Sequence, residues 1–402
     1  MPISVLYIHH CGAFGGSSRS LLEMIKSFPE NSVRPHLITQ RGVVAEFFKK
    51  EGVPIIKTTG ISQFDNTQMG YYRKYRWLIL LRELYYAPFT LFAIIKARLK
   101  WRSIDIMHIN EITMLLPIIL SKLIFCKPVV VHCRTLQRRD NKFRYHLIKF
   151  ILKHLSGIII AIDSTVKDTL PNDLNVKVIH NGLLPDLNIY SSGEWNFDFP
   201  KRNLNVGMVG NLLPVKGVYE FIEAAKICIE KGRDINFIIV GDNPYKVRGI
   251  KGMLLRKLGF RVDVKSDIKR LIQEYAIKDY VRLIGFRSDL KGVYENIDIL
   301  CFPSHINAVG RPVFEAAFFK VPSIVAITNP KKDTIINKET GLCIPLKNPK
   351  ALADAIEYFY LNRREIKRMG EMAYRLAQSN FNICKNAKQI LESYKELIKT
   401  SN

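Results

Sequence analysis

Short, nearly unbroken runs of Val, Ile and Leu recur along the chain, separated by stretches in which apolar residues return every three or four positions. The first kind predicts strands at 3–8, 35–39, 53–57, 104–109, 128–132, 157–162 and 176–180; the second predicts helices at 17–28, 43–51, 112–124, 141–155 and 164–170. The second half repeats the grammar, with strands at 204–210, 235–241, 280–285, 298–302 and 322–327 and helices at 217–231, 266–277, 288–295, 311–320 and 349–361. Continuous Val/Ile strands alternating with helices predict parallel sheets covered on both faces. Residues 183–203, rich in Pro, Ser, Gly, Asn and Asp, read as a linker. The fold class is therefore α/β, with two doubly wound domains facing a cleft. Residues 1–183 form the first, 184–203 the linker, and 204–375 the second. The tail from 363 to 399 reads as two amphipathic helices, the last within a C-terminal segment, 376–402; one arrangement packs it back on the first domain. Ligands in such sheets gather beyond the carboxyl ends of the strands, so the cleft is the expected site.

Length agrees with two domains, since 402 residues exceed one ordinary core. The seven cysteines are scattered, without a CxxC pair, and several sit in apolar runs. Reduced thiols in a cytoplasmic protein are expected, not a disulfide framework or zinc site. The N-terminus lacks the charged and long apolar regions of a signal peptide. The longest apolar run, 84–95, is interrupted by Pro88 and falls short of the ~18–20 residues of a spanning helix. A protein that does not span is expected.

Charge changes the picture more. With 61 Lys and Arg against 36 Asp and Glu the net charge is +25, which attracts polyanions or anionic surfaces. No zinc-finger spacing or RNP-like aromatic motif is present, so nucleic acid is not the expected partner. Residues 71–102 interleave Arg and Lys with Tyr, Trp and Leu, and a second basic stretch covers 246–265. Such segments suit a helix on anionic headgroups, although a helix packed under its own sheet with a basic outer face fits equally well.

Four motifs carry candidate chemistry. In "HHCGAFGGSSRSLLEMI" (9–25), Gly15 and Gly16 permit close backbone approach, and Ser17 or Ser18 is placed to cap the next helix; free amides there suit an anion. "VGMVGNLLPVKGVYEFIEAA" (206–225) repeats strand, glycine and loop, with Lys216 opening a helix. A lysine there can neutralise a departing diphosphate without metal, though the spacing fits a surface lysine as well. "VVVHCRT" (129–135) puts His132 and Arg134 at a strand end, where a packed histidine is the commoner outcome. "VIHNGLLP" (178–185) carries Asn181-Gly182, expected as a turn with positive φ. A carboxylate just past a glycine loop, Glu315, is placed to hold ligand hydroxyls. The chain lacks GxGxxG, HExxH, Asp-x-Asp and GxSxG, which disfavours a dinucleotide site, metal-bound transfer and an α/β-hydrolase.

In this order the motifs resemble glycosyltransferase family 4, retaining enzymes of the GT-B fold with two Rossmann-like domains, over nearly the whole chain. "VRLIGFRSDLKGVYENIDILCFPSHINAVGRPVFEAAFFKVPSIVA" (281–326) is the strongest match. The resemblance implies that Glu315 accepts hydrogen bonds from nucleotide ribose hydroxyls, and that backbone at Ala308, Val309 and Gly310 grips the donor sugar. It also implies that His132 lies near that sugar with Arg134 close by, and that the N-terminal half, including Asn181, serves the acceptor. Backbone between Gly285 and Arg287 is expected at the base. Two positions depart from the pattern. Asn307 stands where the family has the first glutamate of a Glu-x7-Glu pair, which excludes a carboxylate nucleophile there. Asn211 stands where arginine usually meets the diphosphate; Arg311 or Arg287 is the candidate replacement, with Lys216 retained.

The expected function is retaining, metal-independent transfer of a hexose-type sugar from a nucleoside diphosphate donor to a glycan or lipid-linked acceptor. It is placed in envelope glycan or glycolipid synthesis at the inner face of the cytoplasmic membrane, with no cofactor. Two alternatives remain at this stage. One is a nucleotide-sugar-binding protein that has lost catalysis through Asn211 and Asn307; the other is a nucleotide-sugar epimerase on a similar scaffold.

Overall fold

The computed structural model describes residues 1–13, 15–183, 202–243, 262–287 and 290–401. The chain divides into two compact units, residues 1–183 with 381–402, and residues 184–380. Most of the linker, and the basic stretch at 246–265 except its last four residues, lie outside the described residues.

In the first unit, strands β1 (Ile3–His9), β2 (Val33–Gln40), β3 (Ile55–Thr58), β4 (Ile106–Ile109), β5 (Val129–Cys133), β6 (Ile158–Ala161) and β7 (Val176–Val178) form one sheet. Its order is β3-β2-β1-β4-β5-β6-β7, and every pairing is parallel. Parallel strands need long crossovers. These are the helices α1 (Gly16–Lys26), α2 (Val43–Lys50), α3 (Leu78–Lys100), α4 (Leu115–Phe125), α5 (Lys142–Leu155) and α6 (Ser164–Lys167). Strand order reverses direction beside β1. Right-handed crossovers therefore put α3, α4 and α5 on the sheet face opposite α1 and α2.

The second unit has β8 (Leu204–Val209), α7 (Val218–Glu230), β9 (Ile235–Val240), α8 (Val264–Glu274), β10 (Val281–Gly285) and α9 (Lys291–Glu295). It continues with β11 (Ile299–Phe302), α10 (Arg311–Phe318), β12 (Ser323–Ala326), β13 (Gly341–Ile344), α11 (Pro349–Leu361) and α12 (Arg363–Asn380). The sheet runs β10-β9-β8-β11-β12-β13, so its switch point lies between β8 and β11. Its core joins Val206, Phe237 and Ile299 of the sheet to Phe221, Ile356 and Phe359 of the helices.

The last helix, α13 (Ile383–Ser401), belongs to the first unit and packs on α1. The unit boundary falls after Asn380, where α12 ends, and not at 375. Leu183 donates its amide to the Phe381 carbonyl at 2.8 Å and bridges Asn382. Asn386 donates to the His180 carbonyl at 2.9 Å. These contacts correct the reading of Asn181-Gly182. Neither residue has positive φ. Glycine is required at 182 because a Cβ there would lie 2.3 Å from the Ile383 Cα.

A second correction concerns α3. The apolar run at 84–95 extends through Pro88 into a helix of 23 residues, long and apolar enough to cross a membrane by length and composition.

Candidate functional site

Three of the four helices that leave the two switch points begin alike. α1, α7 and α10 start from Gly15, Gly217 and Gly310 with no side-chain cap. By contrast, Asn141, Asp163, Asp263 and Asn348 cap α5, α6, α8 and α11. Uncapped amides at strand carboxyl ends remain available to an anion. Gly15 and Gly16 face open space. The expected serine cap of α1 is absent: Ser18 donates to the Ala13 carbonyl at 3.1 Å and meets His9 Nε2 at 2.9 Å.

In the second unit the loops after β8 and β11 are locked together. The Val215 carbonyl accepts the His305 amide at 2.9 Å and the Ser304 hydroxyl at 3.3 Å. Gly217, at φ 75°, sits so close to the Pro303 carbonyl that a Cβ would lie 1.8 Å from its oxygen. His305 Nε2 and Glu220 Oε1 add a 2.7 Å contact.

The Lys216 ammonium lies 5.6 Å from the centroid of the Phe302 ring. The same ring would meet a Cβ on Gly310 at 2.3 Å, so one phenyl group couples the lysine to the 307–310 loop. Burial lowers the Lys216 pKa, and no acidic partner satisfies it among the described residues. A half-desolvated cation without a counter-ion favours an anionic ligand.

Glu315 is only 2% exposed. Tyr294 donates to its Oε2 at 2.8 Å and Arg311 Nε to its Oε1 at 2.7 Å. These bonds fix the carboxylate in place. They also commit Arg311 to a neutralising contact. Asn307 accepts the Thr328 amide on Oδ1 at 2.9 Å, which ties its loop to the chain after β12. Asn211 is exposed and Arg287 half-buried. The Gly285 carbonyl accepts the Gly241 amide at 2.9 Å, and a Cβ on Gly241 would strike the Gly210 carbonyl at 1.8 Å. The ends of β8, β9 and β10 thus meet through three positive-φ glycines.

In the first unit, the carboxyl ends of β1, β4 and β5 hold a buried polar network. Asn110 accepts from Arg134 Nη2 on Oδ1 at 2.8 Å, and its Nδ2 donates to His9 Nδ1 at 2.8 Å. Arg134 also donates to Asn181 Oδ1 and, at 3.3 Å, to His132 Nδ1. Arginine can only donate, so Nδ1 of His132 is the acceptor and its ring proton sits on Nε2. His108 Nε2 meets the same Nδ1 at 3.3 Å, while its Nδ1 meets the Tyr394 hydroxyl of α13 at 2.6 Å. His132 Nε2 is buried without a hydrogen-bond partner among the described residues. Burial, reinforced by Arg134, holds His132 well below the usual imidazole range and His108 down to about 3. Both rings are neutral near pH 7, and His132 offers a donor, not a base.

Glu111 follows β4 and accepts from the Ile112 amide at 2.9 Å and Thr135 Oγ1 at 3.1 Å. Burial outweighs these bonds and pushes its pKa up to about 7. Sequence reading missed His9, His108, Asn110, Glu111 and Tyr394 here, and Phe302, His305, Glu220 and Tyr294 in the second unit. A histidine inside the otherwise apolar "IMHI" (106–109) was the signal for His108; Tyr394, 286 residues away, gave none. Among the described residues, no group of three His, Cys, Asp or Glu side chains is disposed to hold a metal.

Residues 14–187 match the family model described as Glycosyltransferase Family 4, and residues 194–376 the one described as Glycosyl transferases group 1. The chain is 29% identical over 155 residues to the capsular polysaccharide biosynthesis glycosyltransferase CapM of Staphylococcus aureus, covering 39% of this chain and 36% of that protein. It is 25% identical over 191 residues to the alpha-D-kanosaminyltransferase of Streptomyces kanamyceticus, covering 47% and 45%. The matches thus span less than half the length of either relative. Among solved structures, Anabaena Alr3699/HepE in complex with UDP superposes with a TM-score of 0.75 at 18% identity, over 98% of this chain and 100% of that one. A glycosyltransferase from Rickettsia africae ESF-5 gives 0.74 at 21% identity, over 99% of both chains. These two likenesses carry the fold.

Proposed function

The chain belongs to the family-4-like glycosyltransferases of GT-B fold, and from that premise we propose that it transfers a hexose-type sugar from a nucleoside diphosphate to an acceptor hydroxyl with retention. The observation that carries this reading is Lys216: a partly desolvated cation without an acidic partner among the described residues, coupled through Phe302 to the Gly310 start of α10. That geometry suits a diphosphate, whose leaving oxygen gains charge as the sugar departs. Uncapped amides at Gly310 and Arg311 add donors, and the held carboxylate of Glu315 suits the ribose diol.

Asn307 cannot act as an anionic nucleophile. Attack therefore comes from the face the diphosphate leaves: the sugar C1–O bond to phosphate breaks, and the C1–O bond to the acceptor forms on the same side. The acceptor proton passes to the departing phosphate oxygen. Lys216 supplies the positive charge otherwise drawn from a metal, so transfer proceeds without one. His132, fixed as an Nε2–H donor, is suited to a sugar hydroxyl, with Arg134 and Asn181 holding it in place. We place the reaction in envelope glycan or glycolipid synthesis, on the cytoplasmic side of an anionic membrane surface that the +25 charge favours.

A thermal-shift panel of uridine, guanosine and adenosine diphosphate sugars tests the site. One base class should stabilise the wild type. Lys216→Ala and Glu315→Gln should each weaken that ligand about ten- to hundredfold, the range of a lost charge-assisted hydrogen bond. Equal stabilisation of all three proteins overturns the assignment. Tight binding without turnover on a broad acceptor panel, with or without chelator, would favour the binding-protein alternative suggested by Asn211 and Asn307.

A further inference from the structure

Helix α3 is built inside out. Leu78, Leu81, Leu84, Tyr85, Phe92 and Leu99 are each 59–70% exposed. Glu83, Thr90, Ala93, Ile94 and Ala97 are buried, none more than 5% exposed, so Ile94 is the one large apolar side chain among them. A helix that packs on a sheet in water shows the opposite arrangement. The orientation is fixed from within. Glu83 Oε2 accepts the Gln63 amide at 2.8 Å, Thr90 Oγ1 accepts the Ser62 amide at 2.9 Å, and Thr58 donates to the Phe89 carbonyl at 3.2 Å. Rotating the helix to hide its leucines would orphan these buried groups.

The feature extends beyond one helix. α4 packs on α3, and α5 on α4. Leu123 of α4 is 66% exposed, and Phe143 and Phe150 of α5 are 77% and 62% exposed. Seven residues separate the two phenylalanines, two turns on one side of α5. The three helices carry nine Lys and Arg and one acid, the buried Glu83; Arg82 pairs with Glu83, and Lys149 and Lys153 with Asp173, which leaves six cations without an acidic partner among the described residues. Arg144 of α5 lies 4.9 Å from the ring of Trp77, which precedes α3 and is 48% exposed.

We infer that the outer faces of α3, α4 and α5 form one docking face for an anionic lipid bilayer, inserted among the headgroups and not crossing them. This rests on the membrane-surface reading above and adds where the chain attaches and that attachment is partly apolar. The charge selects the occupant. A second copy would bring two cation-studded faces together, whereas anionic lipid satisfies both the cations and the exposed side chains. Length alone would let α3 span, but spanning would strip Glu83 and Thr90 of their backbone partners in a medium that supplies none.

Flotation with vesicles tests this on the full chain. Neutral vesicles of phosphatidylcholine are compared with vesicles holding about 30% phosphatidylglycerol, at low salt and at about 0.5 M salt, where surface charge is screened within a few ångströms. The wild type should bind the anionic vesicles, retain part of that binding at high salt, and shift its tryptophan emission to the blue. The triple variant Leu81→Gln, Leu84→Gln, Phe92→Gln changes only exposed side chains, and should lose the salt-resistant part at least tenfold. Its nucleotide-sugar thermal shift should match the wild type. Complete reversal by salt together with an unaffected triple variant overturns insertion. Absence of vesicle binding, with nucleotide-sugar stabilisation intact, overturns the docking face but leaves the donor site standing. Vesicle binding without any nucleotide-sugar stabilisation would do the reverse. A wild-type dimer in light scattering that the triple variant converts to a monomer assigns the face to a second copy and also overturns the inference.

Discussion

Glu111 is a carboxyl group with almost no access to water, and its folded pKa is about 7 against an ordinary 4.5. The folded protein therefore binds its proton more tightly than the unfolded chain does. Its contribution becomes less favourable as pH rises from about 4.5 to about 7 and is constant above that. The neighbouring neutral histidines act with the opposite sign, since the unfolded chain binds their protons first as pH falls below about 6.5. Comparing Glu111→Gln with wild type isolates the acid from the histidines. By urea unfolding the variant should gain on wild type through that window and level off at roughly 3 kcal/mol above pH 7. A difference that does not vary with pH would show that Glu111 titrates normally.

At the scale of elements, the helix starts separate two uses of glycine. Gly217 and Gly310 are needed by the fold, because a side chain would strike Pro303 or Phe302. Gly16 is not, for it stands at the first residue of α1 with nothing within reach of a Cβ. Gly16→Ala should leave the stability to urea unchanged or raise it slightly, by about 0.5–1 kcal/mol at most. Loss of nucleotide-sugar binding in that stable variant would come from the ligand side, which is the expected result if backbone approaches the donor there. An unchanged ligand-induced shift would remove Gly15 and Gly16 from the site.

The same contrast explains what could be read from the sequence. Strands such as β5 and β9 announce themselves as Val/Ile runs because both faces are buried. β13, "GLCI", does not. It is short, and its Gly341 answers a tertiary demand: a Cβ would lie 2.3 Å from the Ser323 carbonyl oxygen. That Lys216 and Glu315 stand beside glycine loops was legible in the sequence. The bonds that hold Glu315 still, and the link between Lys216 and Gly310 through Phe302, depend on loops brought together by the β8–β11 switch. No local spacing encodes them. α3 was misread for a related reason: its twelve-residue apolar run was visible, but which side of the helix faces the sheet was not.

For the whole molecule, the decisive contact is that of α13 with the first unit. Tyr394 reaches His108 and Tyr7, so the end of the chain completes the network around His132. Deleting 383–402 should destabilise the first unit and spare the second, whose core takes nothing from α13. Calorimetry should show one transition moved down by several degrees while the other stays, and proteolysis should release fragments from the first unit first. Equal loss in both units would contradict the division.

The hydrogen bond between Leu183 and Phe381 has a consequence for how the gene can be cut. Departure and return occur at adjoining residues, so everything from 184 to 380 is topologically a cassette. Joining position 183 directly to position 381 would need little rebuilding of the backbone, and the excised piece would carry its own sheet intact. Shuffling second units among relatives should then succeed at this single paired junction, where a lone crossover at either end would sever the first unit from its own final helix.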